Sequence, residues 1–214
     1  MKLLWSILIL TIMGYAAEYS YKISKISTKV KSRMIKGNSW KKGCPVPLSK
    51  LRYLELGYID FNGVSQQGEL IVHEDVAEDV TKIFEALYFI GYPIKSMQLV
   101  SDYKGNDFQS IEADNTSAFN CRAITGNSKK WSNHAYGKAI DINPIENPYI
   151  SRKGTCSHIK SKPYLPNKRK QYNTLQIGPV LLENSQVVNT FKDFGWKWGG
   201  DWRTIKDYQH FEKK

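Results

Sequence analysis

The sequence predicts an α+β domain in which a small antiparallel sheet is flanked by helices. Two stretches, "LRYLELGYIDF" and "GELIVH", alternate apolar and polar residues as half-buried strands do. The segment from Glu74 to Ile90 carries apolar residues at spacings of three and four, which is the pattern of an amphipathic helix. Strands and helices do not alternate as in βαβ folds, so we expect an antiparallel sheet rather than a parallel one.

The remaining elements follow in chain order. The first strand ends in an Asn-Gly turn, and the helix ends before a Gly and a Pro. We expect further strands at "IKSMQLVSDY" and "SAFNCRAI" and a last helix from about Ser185 to Phe194. Residues 147–178 are rich in Pro, Lys, Tyr and Asn and predict a long surface loop, of the kind that often frames a functional site.

The first seventeen residues have the form of a secretory signal peptide. Lys2 precedes the apolar run "LLWSILILTIMGY", which ends at Ala16 and Ala17. The run is shorter than the roughly 20 residues that cross a bilayer, so a permanent anchor is the less favoured interpretation. We therefore expect an exported protein, located in the periplasm, in the cell envelope or outside the cell.

Residues 18–48 are predicted to form a basic, flexible N-terminal segment, followed by one folded domain over residues 49–214. The segment is rich in Lys and Ser and lacks a sustained apolar face. The formal net charge of +11 would attract an exported protein to anionic cell-wall polymers or a membrane surface, although it could equally serve only solubility. No helix with periodic Arg or Lys supports a nucleic-acid binder.

The three cysteines, Cys44, Cys121 and Cys156, are an odd number for an oxidising compartment. They allow one disulfide beside one free thiol, but their spacing does not define the pairing. The sequence contains no CxxC, so a cysteine zinc cluster is not indicated.

Residues that can bind a metal lie in two short stretches far apart in the chain. His134 and Asp141 stand seven positions apart in "HAYGKAID", where small residues would allow close backbone approach. If His134 lies on a turn and Asp141 on the following strand, both can face one ion. His210 follows Asp207 by three positions in "DYQHF", near the end of the chain. Imidazole and carboxylate groups are good zinc ligands.

Each of these residues also has an ordinary structural interpretation. A single histidine is most often a surface or hydrogen-bonded residue, and Asp141 could cap the turn at Asn143. His73 and His158 lack a comparable setting and are not included in the candidate site. The metal hypothesis depends on the two stretches meeting in space.

Together the two stretches resemble a known family. The pattern Ser-x-His-x-x-Gly-x-Ala-x-Asp over residues 132–141, with Asp-x-x-His at 207–210, is similar to zinc peptidases of the D-alanyl-D-alanine carboxypeptidase family. That family includes the D,D-peptidases of vancomycin resistance and the L-alanyl-D-glutamate endopeptidases of phage lysins. The resemblance implies a hedgehog/D,D-peptidase-like fold and one Zn²⁺ per chain.

The resemblance also implies roles for individual residues. The implied zinc ligands are His134, Asp141 and His210. Asp207 matches the catalytic carboxylate that acts as general base, and Arg122 matches an arginine that faces the substrate carbonyl or carboxylate. The implied substrate-binding residues are Ser132, Tyr136 and Trp198. Trp196, Trp198 and Trp202 are expected either to form a cleft wall or to lie in the core.

The function that follows from the resemblance is hydrolysis of peptide bonds in peptidoglycan stem peptides, as a D-alanyl-D-alanine carboxypeptidase does. Two alternatives stay open at this point. One is an L-alanyl-D-glutamate or other peptidoglycan endopeptidase, and the other is a non-catalytic, zinc-containing wall-binding protein. The sequence leaves the oligomeric state open.

Overall fold

The computed structural model describes residues 18–124, 126–174 and 177–214. The segment expected to be a signal peptide lies outside these residues. Within the described ranges, no helix has the length and apolar character needed to cross a membrane.

The described chain combines five α-helices with twelve strands, most of which are short. The helices are α1 (Thr28–Lys36), α2 (Ala77–Phe89), α3 (Asp107–Glu112), α4 (Pro166–Arg169) and α5 (Gln186–Asp193). The strands are β1 (Tyr21–Lys25), β2 (Leu51–Ile59), β3 (Ser65–His73), β4 (Ser96–Met97), β5 (Asn115–Thr116), β6 (Ala123–Ile124), β7 (Asn127–Trp131), β8 (Ala139–Asp141), β9 (Tyr149–Ile150), β10 (Lys197–Trp198), β11 (Lys206–Asp207) and β12 (His210–Glu212). Single 3₁₀ turns connect several of them.

Two three-stranded antiparallel sheets organise the molecule. The first has the order β1-β2-β3, and the second has the order β10-β12-β8. Short antiparallel pairs join β9 to β11 and β6 to β7, whereas β4 and β5 pair in parallel. The architecture is therefore mixed α and β with small, mainly antiparallel sheets, as predicted.

One apolar core connects the two sheets. Leu54 of β2 and Phe84 of α2 belong to the same buried cluster as Ile140 of β8 and Phe211 of β12. Phe211 stacks on Phe191 of α5 with a centroid distance of 3.8 Å. Burying such side chains is the main favourable term in folding, so the strands that carry the site are fixed by the core of the domain.

The segment 18–48 is not the flexible tail that its composition predicts. Strand β1 pairs along its whole length with β2, and helix α1 buries Val30 and Met34. Ser27 caps α1 by accepting a hydrogen bond from the Val30 backbone at 3.2 Å. A disulfide between Cys44 and Cys121 joins the segment to the rest of the chain. The prediction was wrong because few apolar side chains of this segment pack on the sheet, and the solvent-facing lysines between them hide the apolar pattern in the sequence.

Other elements agree with the sequence to different degrees. The predicted strands at β2 and β3 and the helices at α2 and α5 are confirmed. Of "IKSMQLVSDY" only two residues form a strand, and "SAFNCRAI" contains only β6. The predicted loop over residues 147–178 also contains β9, a 3₁₀ turn at Ile159–Tyr164 and α4.

Candidate metal centre

A tight turn presents His134. Residues Asn133–Tyr136 form one 3₁₀ turn, capped by the Ser132 side chain, which accepts from the His134 backbone at 3.4 Å. Gly137 ends the turn with φ +67, a left-handed conformation that disfavours side chains. A Cβ at Gly137 would meet the backbone nitrogen of His73 at 2.6 Å. The glycine therefore lets the turn pack directly against β3.

Strand β8 presents Asp141, and β12 presents His210 beside it. The two strands are antiparallel, with His210 opposite Asp141 and Phe211 opposite Ile140. Neighbouring side chains on a strand point to opposite faces. Because Ile140 and Phe211 enter the core, Asp141 and His210 face the other side, toward the turn that carries His134.

The three side chains meet at one buried point. His134 Nε2 lies 3.2 Å from Asp141 Oδ2, and His210 Nδ1 lies 3.0 Å from Asp141 Oδ1. The two imidazole nitrogens are 3.3 Å apart. One donor atom from each residue lies within 4.8 Å of the others, and all three residues are buried. The three predicted ligands are thus brought together.

Each histidine is oriented by a second partner. His134 Nδ1 donates to the Ala118 carbonyl at 2.6 Å, and His210 Nε2 donates to Glu212 Oε2 at 3.3 Å. Asn133 donates in turn to Glu212. These bonds leave His134 Nε2 and His210 Nδ1 with lone pairs directed at the common point, as partners of metal-binding histidines commonly do. Two imidazoles and a carboxylate so arranged fit Zn²⁺.

The electrostatics of the metal-free triad match its ligand chemistry. Burial alone would raise the pKa of Asp141, but the imidazoles of His134 and His210 hold it well below its usual value. Burial alone would lower the pKa of His210, but hydrogen bonds to Asp141 and Glu212 raise it to about 10. The Asp141 carboxylate is therefore charged and ready to bind a cation, in competition with a proton on His210.

Asp207 lies beside the triad, and both line one cavity of about 470 Å³. Its Oδ1 is buried and has no hydrogen-bond partner among the residues described. Burial raises the pKa of Asp207 to about 7, with His210 opposing and Asp141 adding to the rise. Strand β11 positions Asp207 opposite Tyr149. An unpaired carboxyl oxygen in a cavity is available for proton transfer.

Two further predicted residues, Arg122 and Ser132, line the same cavity. Arg122 Nε donates to Asp107 Oδ1 at 3.0 Å, so helix α3 fixes the guanidinium. Ser132 is buried, and its hydroxyl is used as the cap of the turn that carries His134.

The structure does not place Tyr136 or Trp198 in the cavity. Tyr136 lies two residues beyond His134 on the same turn and lines a different groove, next to His73 and Lys138. Trp198 belongs to the core, where its Nε1 donates to the Tyr208 carbonyl at 2.7 Å. The family resemblance implies both residues as substrate-binding, but neither side chain lines the cavity that holds the triad.

Of the three tryptophans, only Trp202 lines the cavity, with its ring centroid 5.5 Å from that of His210. Trp196 and Trp198 are core residues. The alternative that the tryptophans are core residues therefore holds for two of them, and the cleft-wall alternative holds for the third.

Glu212 and His158 are two of the cavity-wall residues that sequence reasoning missed. Glu212 stands two positions after His210 on a strand, so it points to the same face and could have been recognised from that spacing. His158 was set aside because it lies in a Lys-rich loop. No local pattern shows that this loop folds back over the metal site.

A buried His-Asp-His triad that opens on a cavity with an acidic side chain is the arrangement of a metallohydrolase. Residues 125–213 match the model of a family described as D-alanyl-D-alanine carboxypeptidase. The match covers less than half of the chain but includes all three triad residues and Asp207, and it confirms the resemblance to this peptidase family. No curated protein and no solved structure matches the chain.

Proposed function

We propose that the protein is an exported, zinc-dependent peptidase that hydrolyses peptide bonds in peptidoglycan stem peptides, in the manner of a D-alanyl-D-alanine carboxypeptidase. The observation that supports this most is the meeting of His134, Asp141 and His210 in a cavity that also holds the unpaired Oδ1 of Asp207. The family match supports the peptidase class.

The donor set favours zinc as the metal. Catalytic zinc sites use three protein ligands and keep a further position open, and the triad offers three ligands at the wall of a cavity. When bound, Zn²⁺ supplies Lewis acidity that polarises the scissile carbonyl and makes water more acidic. The protein's part is to hold two neutral imidazoles and one carboxylate in fixed orientations.

Asp207 is suited to move the proton. With a pKa near neutrality, the carboxyl group can take a proton from the attacking water and return it to the leaving amine. An ordinary Asp, with a pKa near 3.9, would be a poor donor at neutral pH. Burial beside the triad gives Asp207 the property that both steps require.

Arg122 is suited to orient the substrate. Among the residues that the structure describes, Asp107 contacts its Nε and the Ala123 carbonyl contacts its Nη1, and no others engage the guanidinium. The remaining guanidinium N–H groups can donate to a substrate carbonyl or terminal carboxylate, where such a stabiliser is worth about 3 kcal/mol in catalysis.

Export and a wall-associated location belong to the same proposal. They rest on the signal-like segment at residues 1–17 and on the net charge of +11. We expect the excess of Lys and Arg to favour contact with anionic polymers of the cell wall. A purely wall-binding role is less well supported, because a binder has no use for an unpaired, buried carboxyl oxygen at Asp207.

Mass spectrometry of the products from defined muropeptides tests the proposal. Zinc-loaded protein should release D-Ala from stem peptides that end in D-Ala-D-Ala, whereas larger fragments would identify an endopeptidase instead. Asp207→Asn should retain zinc and lower the rate by at least 10²-fold, since it removes the proton carrier. Intact muropeptides after incubation with zinc-loaded wild type would contradict the proposal.

A further inference from the structure

Helix α3 holds His158 in the wall of the cavity. Glu112 Oε2 accepts a hydrogen bond from His158 Nδ1 at 2.7 Å. The Phe108 ring stacks on the imidazole with a centroid distance of 4.3 Å. His158 and Phe108 both line the cavity that contains the triad, whereas Glu112 does not. Two contacts from one helix thus fix the orientation of a side chain that belongs to a long loop.

These contacts determine which nitrogen of His158 remains available. Because Nδ1 donates to Glu112, the neutral imidazole carries its hydrogen on Nδ1 and a lone pair on Nε2. His158 Nε2 has no hydrogen-bond partner in the part of the chain that the structure describes. In the neutral form of the imidazole, the available atom is therefore an acceptor.

The same helix fixes a donor. Asp107, at the start of α3, accepts from Arg122 Nε at 3.0 Å, and other guanidinium N–H groups have no partner within the described ranges. Arg122 and His158 line one cavity, so α3 equips it with a fixed donor and a fixed acceptor. A peptide unit carries one C=O and one N–H and is the complement of such a pair.

We propose that His158 is a substrate-positioning residue whose Nε2 accepts a hydrogen bond from a peptide N–H of the substrate, while Arg122 binds a carbonyl or carboxylate oxygen. This inference rests on the proposed peptidase function. It assigns to the loop over residues 147–178 a part in recognising the peptide backbone, in addition to covering the metal site.

Backbone-ester analogues test the assignment. In the zinc-loaded Asp207→Asn protein, turnover is expected to be at least 10²-fold slower than in the wild type. Calorimetry on this variant can measure the Kd of an acetylated stem peptide and of analogues in which one amide N–H at a time is replaced by an ester oxygen. One analogue should bind about tenfold more weakly than the amide, as expected for one lost hydrogen bond. In His158→Phe on the same background, which keeps a ring to stack on Phe108, the amide-to-ester ratio should fall to about one.

The controls separate this interaction from general damage. His73→Phe, at a histidine outside the cavity, should leave the ratio unchanged. His158→Gln supplies an amide oxygen as acceptor and should retain part of the discrimination. Equal zinc content and melting temperature in these variants verify the fold. Because the result is a ratio of two affinities measured on one protein, a uniform loss of affinity does not imitate it.

The outcomes distinguish the inference from the function on which it rests. Suppose that the wild type cleaves the peptide, but that the amide-to-ester affinity ratio of every analogue is the same in Asp207→Asn and in the variant that also carries His158→Phe. The inference is then overturned, and the peptidase proposal stands. If the wild type cleaves no stem peptide, the proposed function itself fails.

Discussion

At the scale of single residues, the orienting partners of the triad matter as much as the ligands. His134 is directed by a backbone carbonyl, which no substitution can remove, whereas His210 is directed by the Glu212 side chain. Glu212 is held by Asn133, from the turn that also carries His134. The orientation of His210 can therefore be weakened by a mutation that leaves all three ligands in place, whereas the orientation of His134 cannot.

Glu212→Gln should weaken zinc binding about tenfold while the triad remains complete, because a neutral amide orients His210 less firmly and makes it less basic. Competition with a chromophoric chelator measures the affinity. Glu183→Gln, at an exposed glutamate, is the matched control and should bind zinc as the wild type does. An unchanged affinity in Glu212→Gln would mean that this hydrogen bond does not tune the site.

Zinc affinity should depend on pH through His210. The hydrogen bonds to Asp141 and Glu212 raise the pKa of His210 to about 10 in the metal-free protein, so His210 is protonated at neutral pH until a metal displaces the proton. Below that pKa, each unit of decrease in pH should weaken the apparent zinc affinity about tenfold. Chelator competition between pH 6 and pH 8 measures the slope, and a flat profile would exclude proton displacement.

At the scale of elements, the pairing of β8 with β12 creates the site from residues 69 positions apart. The sequence predicts both stretches because each carries an unusual grouping of His and Asp. It also predicts the strands β2 and β3 and the helices α2 and α5, where alternation or helical periodicity extends over many residues. Strands of two or three residues, such as β8 itself, carry no such signal.

The differences between expectation and structure have a common physical origin. The resemblance implies that Tyr136 and Trp198 bind substrate, but packing of the turn and of the core sets the directions of their side chains. His158 was omitted because only tertiary contacts with Glu112 and Phe108 bring it to the cavity. Long-range contacts of loops are the information that local patterns do not contain. The hedgehog-like topology and the roles of Asp207 and Arg122 stay predictions.

The N-terminal element should depend on its disulfide. Cys44 and Cys121 are 77 positions apart, so the bond closes a long loop and restricts the unfolded chain. Cys44→Ser with Cys121→Ser should lower the free energy of unfolding by roughly 2–4 kcal/mol. Denaturant titration measures the difference, with Cys156→Ser at the free thiol as control. Equal midpoints for the double variant and the wild type would show that β1 and α1 are held by packing alone.

At the scale of the whole molecule, the basic N-terminal region is a folded surface and not a tail. Most of its lysines are carried by β1 and α1, which pack against β2 and β3. Any contact with an anionic wall polymer would therefore be made by a rigid face, at a fixed orientation to the cavity. Attraction of this kind is screened by salt, with a Debye length of about 8 Å at physiological ionic strength.

Titration of the metal-free protein with Zn²⁺, followed by the rate of stem-peptide hydrolysis, tests the central claim most directly. We predict no activity without metal, a linear rise on addition of zinc, and a break at one ion per chain, because one triad of His134, Asp141 and His210 holds one ion. His134→Ala, which removes a ligand, should require a large excess of zinc. Full activity of the metal-free protein, or an unchanged titration in His134→Ala, would contradict the account.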